Sequence, residues 1–175
     1  MSSALPRAAL VLLLPLLVFC GNLGGTRLWD DDEPRNARCA VEMLERNDVI
    51  VPTFNGELRT HKPVLLYWLM MAGYRYFGAT EWTARLPSAL CSIGTIMCVW
   101  GCGRRLLGPR VGLLASVILA TSVMFDVAAR AATPDATLIF CMTAAITLFV
   151  LTSFPRHSRF ETASPTEMTA TETVF

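Results

Sequence analysis

The sequence predicts an all-α membrane protein of about four transmembrane helices, with two short interfacial helices in the first outer loop. Three observations predict it. Hydrophobic residues make up 53% of the 175-residue chain and mean hydropathy is +0.46, more apolar than a soluble domain of this length requires. Apolar runs recur at residues 8–23, 84–103, 111–129 and 135–154, and the later three come close to the roughly twenty residues a bilayer crossing needs. Charge is segregated beneath a net value of only +1: acids dominate residues 30–48, whereas Arg104, Arg105 and Arg110 form a run with no acid nearby.

The first run follows Arg7 and reads as either a signal peptide or a first transmembrane helix. Bulky Phe19 before Cys20 disfavours lipoprotein processing and no small-x-small cleavage pattern follows, so a retained helix is the better reading. The expected organisation is an N-terminal transmembrane helix over 1–27, an outer loop over 28–80, three transmembrane helices over 81–154, and a disordered cytoplasmic tail over 155–175. The tail is Ser/Thr/Glu-rich and lacks the apolar content to fold or to cross a bilayer. Arg104, Arg105 and Arg110 between the second and third spans, with Arg156 and Arg159 after the fourth, put those loops in the cytoplasm, and Arg7 agrees. Residues 28–80 and the turn from Arg130 to Asp135 then share the outer face.

Within the outer loop, Pro34 suits the first turn of a helix with Asp32 and Glu33 as cap and dipole partners. Ala37, Ala40, Val41 and Leu44 follow at helical spacing, and Asn47-Asp48 ends the element. Pro52 to Gly56 reads as a turn. Pro63 opens a second helix through Val64–Ala72, apolar on every side, that closes on Tyr74, Tyr76 and Phe77 before Gly78.

Composition excludes several classes. The six cysteines show no CxxC pair and no Cys/His metal spacing; Cys91, Cys98 and Cys102 share one helix face, as packing residues do. No Gly-rich phosphate loop, nucleic-acid patch or soluble catalytic triad is visible, and the spans carry almost no ionisable residue apart from Asp126, which weakens a transporter reading. Taken singly, the polar residues have ordinary roles open to them. Asp32 and Glu33 can cap a helix, Lys62 can snorkel to headgroups, His61 can sit solvated in a loop, Asp135 can cap the fourth span, and Arg35 and Arg130 can pair with acids. Trp29, Tyr67, Trp68, Tyr74, Tyr76 and Trp82 suit a headgroup-level aromatic belt.

Their order says more. Leu28-Trp29-x-x-Asp32-Glu33-x-Arg35, Glu42-Met43-Leu44, Asp48-x-x-Val51-Pro52, Asn55-Gly56, Lys62-Pro63, Tyr67-Trp68 and Phe77-Gly78 occur in series. Ala84-Arg85-Leu86-Pro87-Ser88-Ala89, Arg104-Arg105-Leu106-x-Gly108 and Arg130-Ala131-x-Thr133-x-Asp135 continue it. Across about residues 26–153 this series resembles the N-terminal part of the GT-C superfamily, specifically the aminoarabinose transferases that use lipid-linked sugars and the related dolichyl-phosphate-mannose-protein mannosyltransferases. The resemblance implies a membrane glycosyltransferase, a hexosyl or pentosyl transferase, that passes a sugar from a polyprenyl-phosphate donor to a lipid, protein or glycan acceptor with inversion.

By the same resemblance Asp32 is the base or acceptor-orienting group, Lys62 offsets the charge of the donor phosphate, and Asp135 positions sugar or acceptor. Glu33, Arg35, His61 and Arg130 are expected on the substrate. No cofactor is expected, since the lipid-linked sugar is itself the substrate. Partners are the polyprenyl-phosphate sugar, membrane lipids and further transmembrane helices, and the expected location is a bacterial inner membrane. Two departures bear on sugar specificity: His61 stands where an acid often precedes the lysine, and Asn36 where an aromatic often follows the arginine. Members are several times longer than this chain, so it is expected to be a truncated N-terminal fragment. A catalytically inactive remnant or a small non-enzymatic membrane subunit is the alternative.

Overall fold

The computed structural model describes residues 4–28 and 31–154. Trp29, the arginines Arg156 and Arg159, and the tail expected over 155–175 lie outside the described residues. Helix α1 (Ala4–Cys20) leads to α2 (Asp32–Arg46), a hairpin of β1 (Thr53–Phe54) and β2 (Glu57–Leu58), then α3 (Val64–Phe77), α4 (Glu81–Leu106), α5 (Pro109–Ala120), α6 (Val123–Arg130) and α7 (Asp135–Ser153). It is a helical membrane protein: α4 and α7 are each long and apolar enough to cross a bilayer, and α5 with α6 supplies a third span if the bent pair counts as one.

Helix α1, at 17 described residues and about 1.5 Å per residue, reaches about 25 Å, at the short end of what a bilayer crossing takes. One expectation about the spans needs correction. The third span, expected as one run over 111–129, is broken by a 65° bend between α5 and α6. The cause lies at Thr121 and Ser122. The Thr121 hydroxyl donates back to Val117 O (2.9 Å) and Ile118 O (3.3 Å), and Ser122 takes up an extended conformation that starts α6 afresh. A hydropathy run does not register two small hydroxyl residues.

Helix α4 is the axis of the bundle and packs on α1, α3, α5, α6 and α7. A capping box between Thr80 and Thr83 starts it at Glu81, three residues before the apolar run. Helix α7 lies beside it and runs the same way, as four contacts at a nearly constant offset show. Ser88 donates to Thr133 O, Gly94 faces Phe140, the Cys102 thiol meets the Thr147 hydroxyl at 3.2 Å, and Arg105 donates to Leu151 O. Helix α5 returns antiparallel after Gly108, whose φ of 102° suits glycine.

The return is tight because Gly103 and Gly112 bring two backbones together: a Cβ on Gly112 would stand 2.6 Å from Arg104 N and 2.9 Å from Trp100 O. Gly112→Ala is therefore expected to cost about 1–3 kcal/mol, whereas Gly101→Ala, with open space around its Cβ, should be neutral. Melting temperatures of the two variants in detergent give the comparison.

The elements between α1 and α4 pack on one another and, through α3, on α4. Asn47, at φ 53°, ends α2 as expected, and Asn55 (φ 53°) with Gly56 (φ 80°) forms the two-residue hairpin turn, which pairs Thr53 with Leu58 and Phe54 with Glu57. Helix α2 begins at Asp32, two residues before Pro34, and Asp31 rather than Asp32 occupies the cap position. Cys39, Ala40 and Met43 of α2 bury against Leu66, Tyr67, Met70 and Tyr74 of α3, with Ala84 and Ala132 completing this core. A second core joins Phe19 and Leu23 to Ala89, Ile93, Ile96, Phe125 and Ala129, where Phe19 and Phe125 meet edge to face at 5.7 Å.

Candidate functional site

The first turn of α2 carries two adjacent carboxylates that point in different directions and do different work. Glu33 is fully buried. Its Oε1 accepts from Arg85 Nε (3.0 Å) and from the Ala132 amide (2.7 Å), and its Oε2 accepts from Arg85 Nη2 (2.9 Å). The rest of the Arg85 guanidinium donates to the carbonyls of Leu23, Thr26 and Arg27 and to the Thr26 hydroxyl. One arginine thus ties α4 to the α1–α2 connection and to α2, while Glu33 ties α2 to the turn before α7. Asn36, one turn along α2, completes the clasp by donating to Ala132 O at 3.0 Å. Glu33, expected on the substrate, is committed to this internal clasp; a buried carboxylate needs a charged, fully bonded partner, and Arg85 is that partner.

Asp32 faces the other way, into a cavity of about 450 Å³ lined by Asp32, Arg35, Phe54, Glu57, Leu58, Arg59, His61 and Lys62. Lys62 Nζ lies 2.7 Å from Asp32 Oδ2, and Arg59 Nη2 lies 3.4 Å from Asp32 Oδ1. The hydrogen bond from Lys62 holds the Asp32 carboxyl below its ordinary value against the opposing effect of burial, with the charges of Lys62, Arg59 and Arg35 adding to the lowering. The sign follows. A carboxyl whose folded value is depressed contributes stability above its unfolded value of about 3.9 and loses it as pH falls through the lower folded value. Titration of Asp32 by NMR should therefore find its midpoint below that of an unpaired aspartate, with Lys62→Gln moving it upward.

Of the seven residues expected in the site, the structure brings four to this cavity: Asp32, Arg35, His61 and Lys62. Arg35 sits at the rim, 3.6 Å from Asp31 in an exposed pair. Arg130 lies elsewhere; it donates to Val18 O at 3.0 Å and lines a separate cavity of about 190 Å³ with Arg85, Asp126 and Thr26. Asp135 is exposed at the start of α7 and does not line the Asp32 cavity.

Arg59 is the residue that sequence reasoning missed. Only 12% of its side chain is exposed, its guanidinium lies 5.8 Å from the centroid of the Phe54 ring, and it bridges Asp32 to Asn36 Oδ1 (3.4 Å). It reaches there because the hairpin folds the chain back over α2.

The hairpin is itself held by Glu42. That carboxylate accepts from the Thr53 hydroxyl (2.7 Å), the Asn55 amide (2.8 Å), the Gly56 amide (3.4 Å) and Arg38 Nε (3.1 Å). Burial alone would raise the Glu42 carboxyl, but these donors outweigh it and leave the group lowered. Glu42→Ala is expected to free the hairpin and, through Arg59, loosen one wall of the cavity. Amide exchange at Asn55 and Gly56 should rise at least tenfold, while α4 amides keep their protection.

The chain matches the family model described as dolichyl-phosphate-mannose-protein mannosyltransferase over residues 61–159. It is 35% identical over 140 residues to the undecaprenyl phosphate-alpha-4-amino-4-deoxy-L-arabinose arabinosyl transferase of Edwardsiella ictaluri (strain 93-146), matching 79% of this chain and 25% of that protein. An uncharacterized protein of Aquifex aeolicus (strain VF5) is 33% identical over 141 residues, 80% of this chain and 28% of that one. Among solved structures, ArnT from Cupriavidus metallidurans bound to undecaprenyl phosphate superposes with a TM-score of 0.81 at 29% identity, over 89% of this chain and 29% of that one. Its apo form gives 0.76 at 28% identity, over 90% and 29%. The chain spans less than a third of the length of each of these relatives.

Proposed function

The chain belongs to the dolichyl-phosphate-mannose-protein mannosyltransferase family of GT-C membrane glycosyltransferases, and from that premise we propose that the Asp32 cavity receives the phosphate of a polyprenyl-phosphate sugar and supports transfer of that sugar to an acceptor hydroxyl. The observation that carries the reading is the Lys62–Asp32 pair at 2.7 Å in a cavity whose walls hold three fixed cations, Arg35, Arg59 and Lys62, against two carboxylates, Asp32 and Glu57. Such a lining favours an anion. A phosphate ester is already a competent leaving group, so the protein has two tasks: to hold the phosphate charge and to take a proton from the nucleophile.

Both tasks meet in the pair. Without donor, Lys62 and Asp32 neutralise each other. An incoming phosphate competes for Lys62 through charge-assisted hydrogen bonds, and Asp32, losing its principal donor, rises toward its ordinary carboxylate value and becomes a better base. The acceptor oxygen then bonds to the anomeric carbon as its proton passes to Asp32. The bond from that carbon to the phosphate oxygen breaks, and its electron pair leaves with the polyprenyl phosphate. Attack opposite the leaving group inverts the centre. Asp135, exposed at the start of α7, is assigned to sugar or acceptor positioning. The arginines after α4 favour a cytoplasmic side for that end of the bundle; in this reading the cavity opens on the outer face of a bacterial inner membrane, with α2 and α3 at the headgroup level.

Lys62→Gln is the sensitive variant. Transfer of labelled sugar from a polyprenyl-phosphate donor, assayed in membranes holding the protein, should fall at least a hundredfold, with the deficit mostly in donor affinity. Transfer at the wild-type rate would remove the phosphate-binding role. A second reading, a non-enzymatic subunit packed on partner helices, requires that the wild-type chain bind no donor.

A further inference from the structure

The end of the bundle far from Asp32 carries a second basic cavity. Met97, Trp100, Gly101, Arg104 and Arg105 of α4 and Leu151 of α7 enclose about 330 Å³. Along α4, Arg104 stands 19 residues beyond Arg85, about 28 Å at 1.5 Å per residue, so this cavity is separate from the Asp32 site.

Its two arginines are held differently. Arg105 is anchored: its Nε donates to Phe154 O at 2.9 Å and its Nη2 to Leu151 O at 3.3 Å, which closes the C-terminal end of α7 against α4. Arg104 lies over the Trp100 indole, 5.1 Å from the ring centroid. That contact holds the guanidinium against the indole, and among the described residues no oxygen accepts a hydrogen bond from it.

Among the described residues no carboxylate pairs with either arginine: residues 82–125 and 136–154 contain no Asp or Glu, so neither helix that walls the cavity offers an acid along its length past Glu81 and Asp135. Two cations with no acid partner among the described residues, above a wall of Met97, Trp100 and Leu151, at the point where two membrane-length helices end together, match an amphiphile with an anionic head and an apolar tail. Arg presents a planar fork to phosphate, and the apolar wall below it takes acyl chain.

We propose that this cavity is a binding site for an anionic glycerophospholipid, with the lipid phosphate on the Arg104 guanidinium, Arg105 adding charge from behind, and the first methylenes of an acyl chain against Met97, Trp100 and Leu151. In the orientation proposed above, the lipid belongs to the cytoplasmic leaflet.

The test uses the full 175-residue chain in detergent and follows bound ligand by native mass spectrometry. Phosphatidylglycerol, phosphatidylcholine and inorganic phosphate serve as separate probes, each tested with wild type, Arg104→Gln and Arg104→Lys. The expected result is a retained phosphatidylglycerol adduct on wild type, at least fivefold reduced in Arg104→Gln and partly restored in Arg104→Lys, with no comparable adduct from phosphatidylcholine. Equal retention of phosphatidylcholine would overturn the proposal by showing plain hydrophobic adhesion. Displacement of phosphatidylglycerol by millimolar inorganic phosphate would overturn it in favour of a free-anion site. Unchanged phosphatidylglycerol binding in Arg104→Gln would also overturn it. The melting temperature of Arg104→Gln without added lipid, expected within a degree or two of wild type, separates lost binding from lost folding.

Discussion

Arg85→Ala is expected to destabilise the protein more than any other single substitution considered, by about 3–5 kcal/mol. The reason is the company Arg85 keeps. It bonds both oxygens of a fully buried Glu33, three backbone carbonyls and a hydroxyl, and only 4% of its side chain is exposed. Removing it takes the guanidinium from both Glu33 oxygens in the interior and leaves four acceptors without that donor, and breaking a buried ion pair from one side is far costlier than the net worth of the pair. Arg85→Lys should recover little, because one ammonium cannot span donors spread across a guanidinium fork. Glu33→Gln should be milder than Arg85→Ala because Arg85 keeps three carbonyls and a hydroxyl and the Ala132 amide keeps an acceptor. A substantial loss remains: the buried guanidinium loses its counter-charge and the new amide NH2 faces Arg85 Nη2. The order Ala, then Lys, then Gln in loss of melting temperature is the check, and equal losses for all three would mean that volume rather than charge pairing governs the clasp.

Asp32→Asn carries the second large effect, on chemistry and not on folding. Its side chain is 36% exposed and a half-buried, partly solvated pair contributes little to stability, so the melting temperature should change by a few degrees at most. Transfer should fall by about 10²–10⁴, the usual contribution of a positioned general base. Donor binding should move in the opposite direction. Lys62 spends its charge on Asp32 while no donor is bound, and an amide at position 32 releases it, so the variant should hold polyprenyl phosphate at least as tightly as wild type. A merely structural Asp32 would not separate binding from turnover in this way; its loss would lower both together.

How much of this was legible beforehand differs from one residue to the next. Helix α3 runs from Pro63 to Gly78 as the apolar run and the terminal glycine imply, and α4 and α7 coincide with apolar runs within a few residues. The Asn55-Gly56 turn is local chemistry and reads directly from two residues. The failures share one cause, which is that side-chain partners are chosen by tertiary placement. Asp32 and Glu33 are neighbours with the same functional group, and only the helix phase of α2 decides that one meets Arg85 inside while the other meets Lys62 in a cavity. Arg59 looked like any loop arginine until the hairpin turned it toward Asp32. Arg130 and Asp135 belong to one motif, yet the turn between them, gripped at Ala132 by Glu33 and Asn36, leaves neither lining the Asp32 cavity. The break at Thr121 is a contest between side-chain and backbone hydrogen bonds inside an apolar stretch, which hydropathy does not weigh.

The central claim is that the Lys62–Asp32 pair is a phosphate site that opens when phosphate takes the lysine. The measurement that tests it most directly is the affinity of undecaprenyl phosphate for wild type, Lys62→Gln and Asp32→Asn in nanodiscs. At least tenfold weaker binding for Lys62→Gln, with Asp32→Asn equal to or tighter than wild type, is the predicted result. Lys62→Gln binding as wild type does, or Asp32→Asn losing affinity alongside it, would contradict the account.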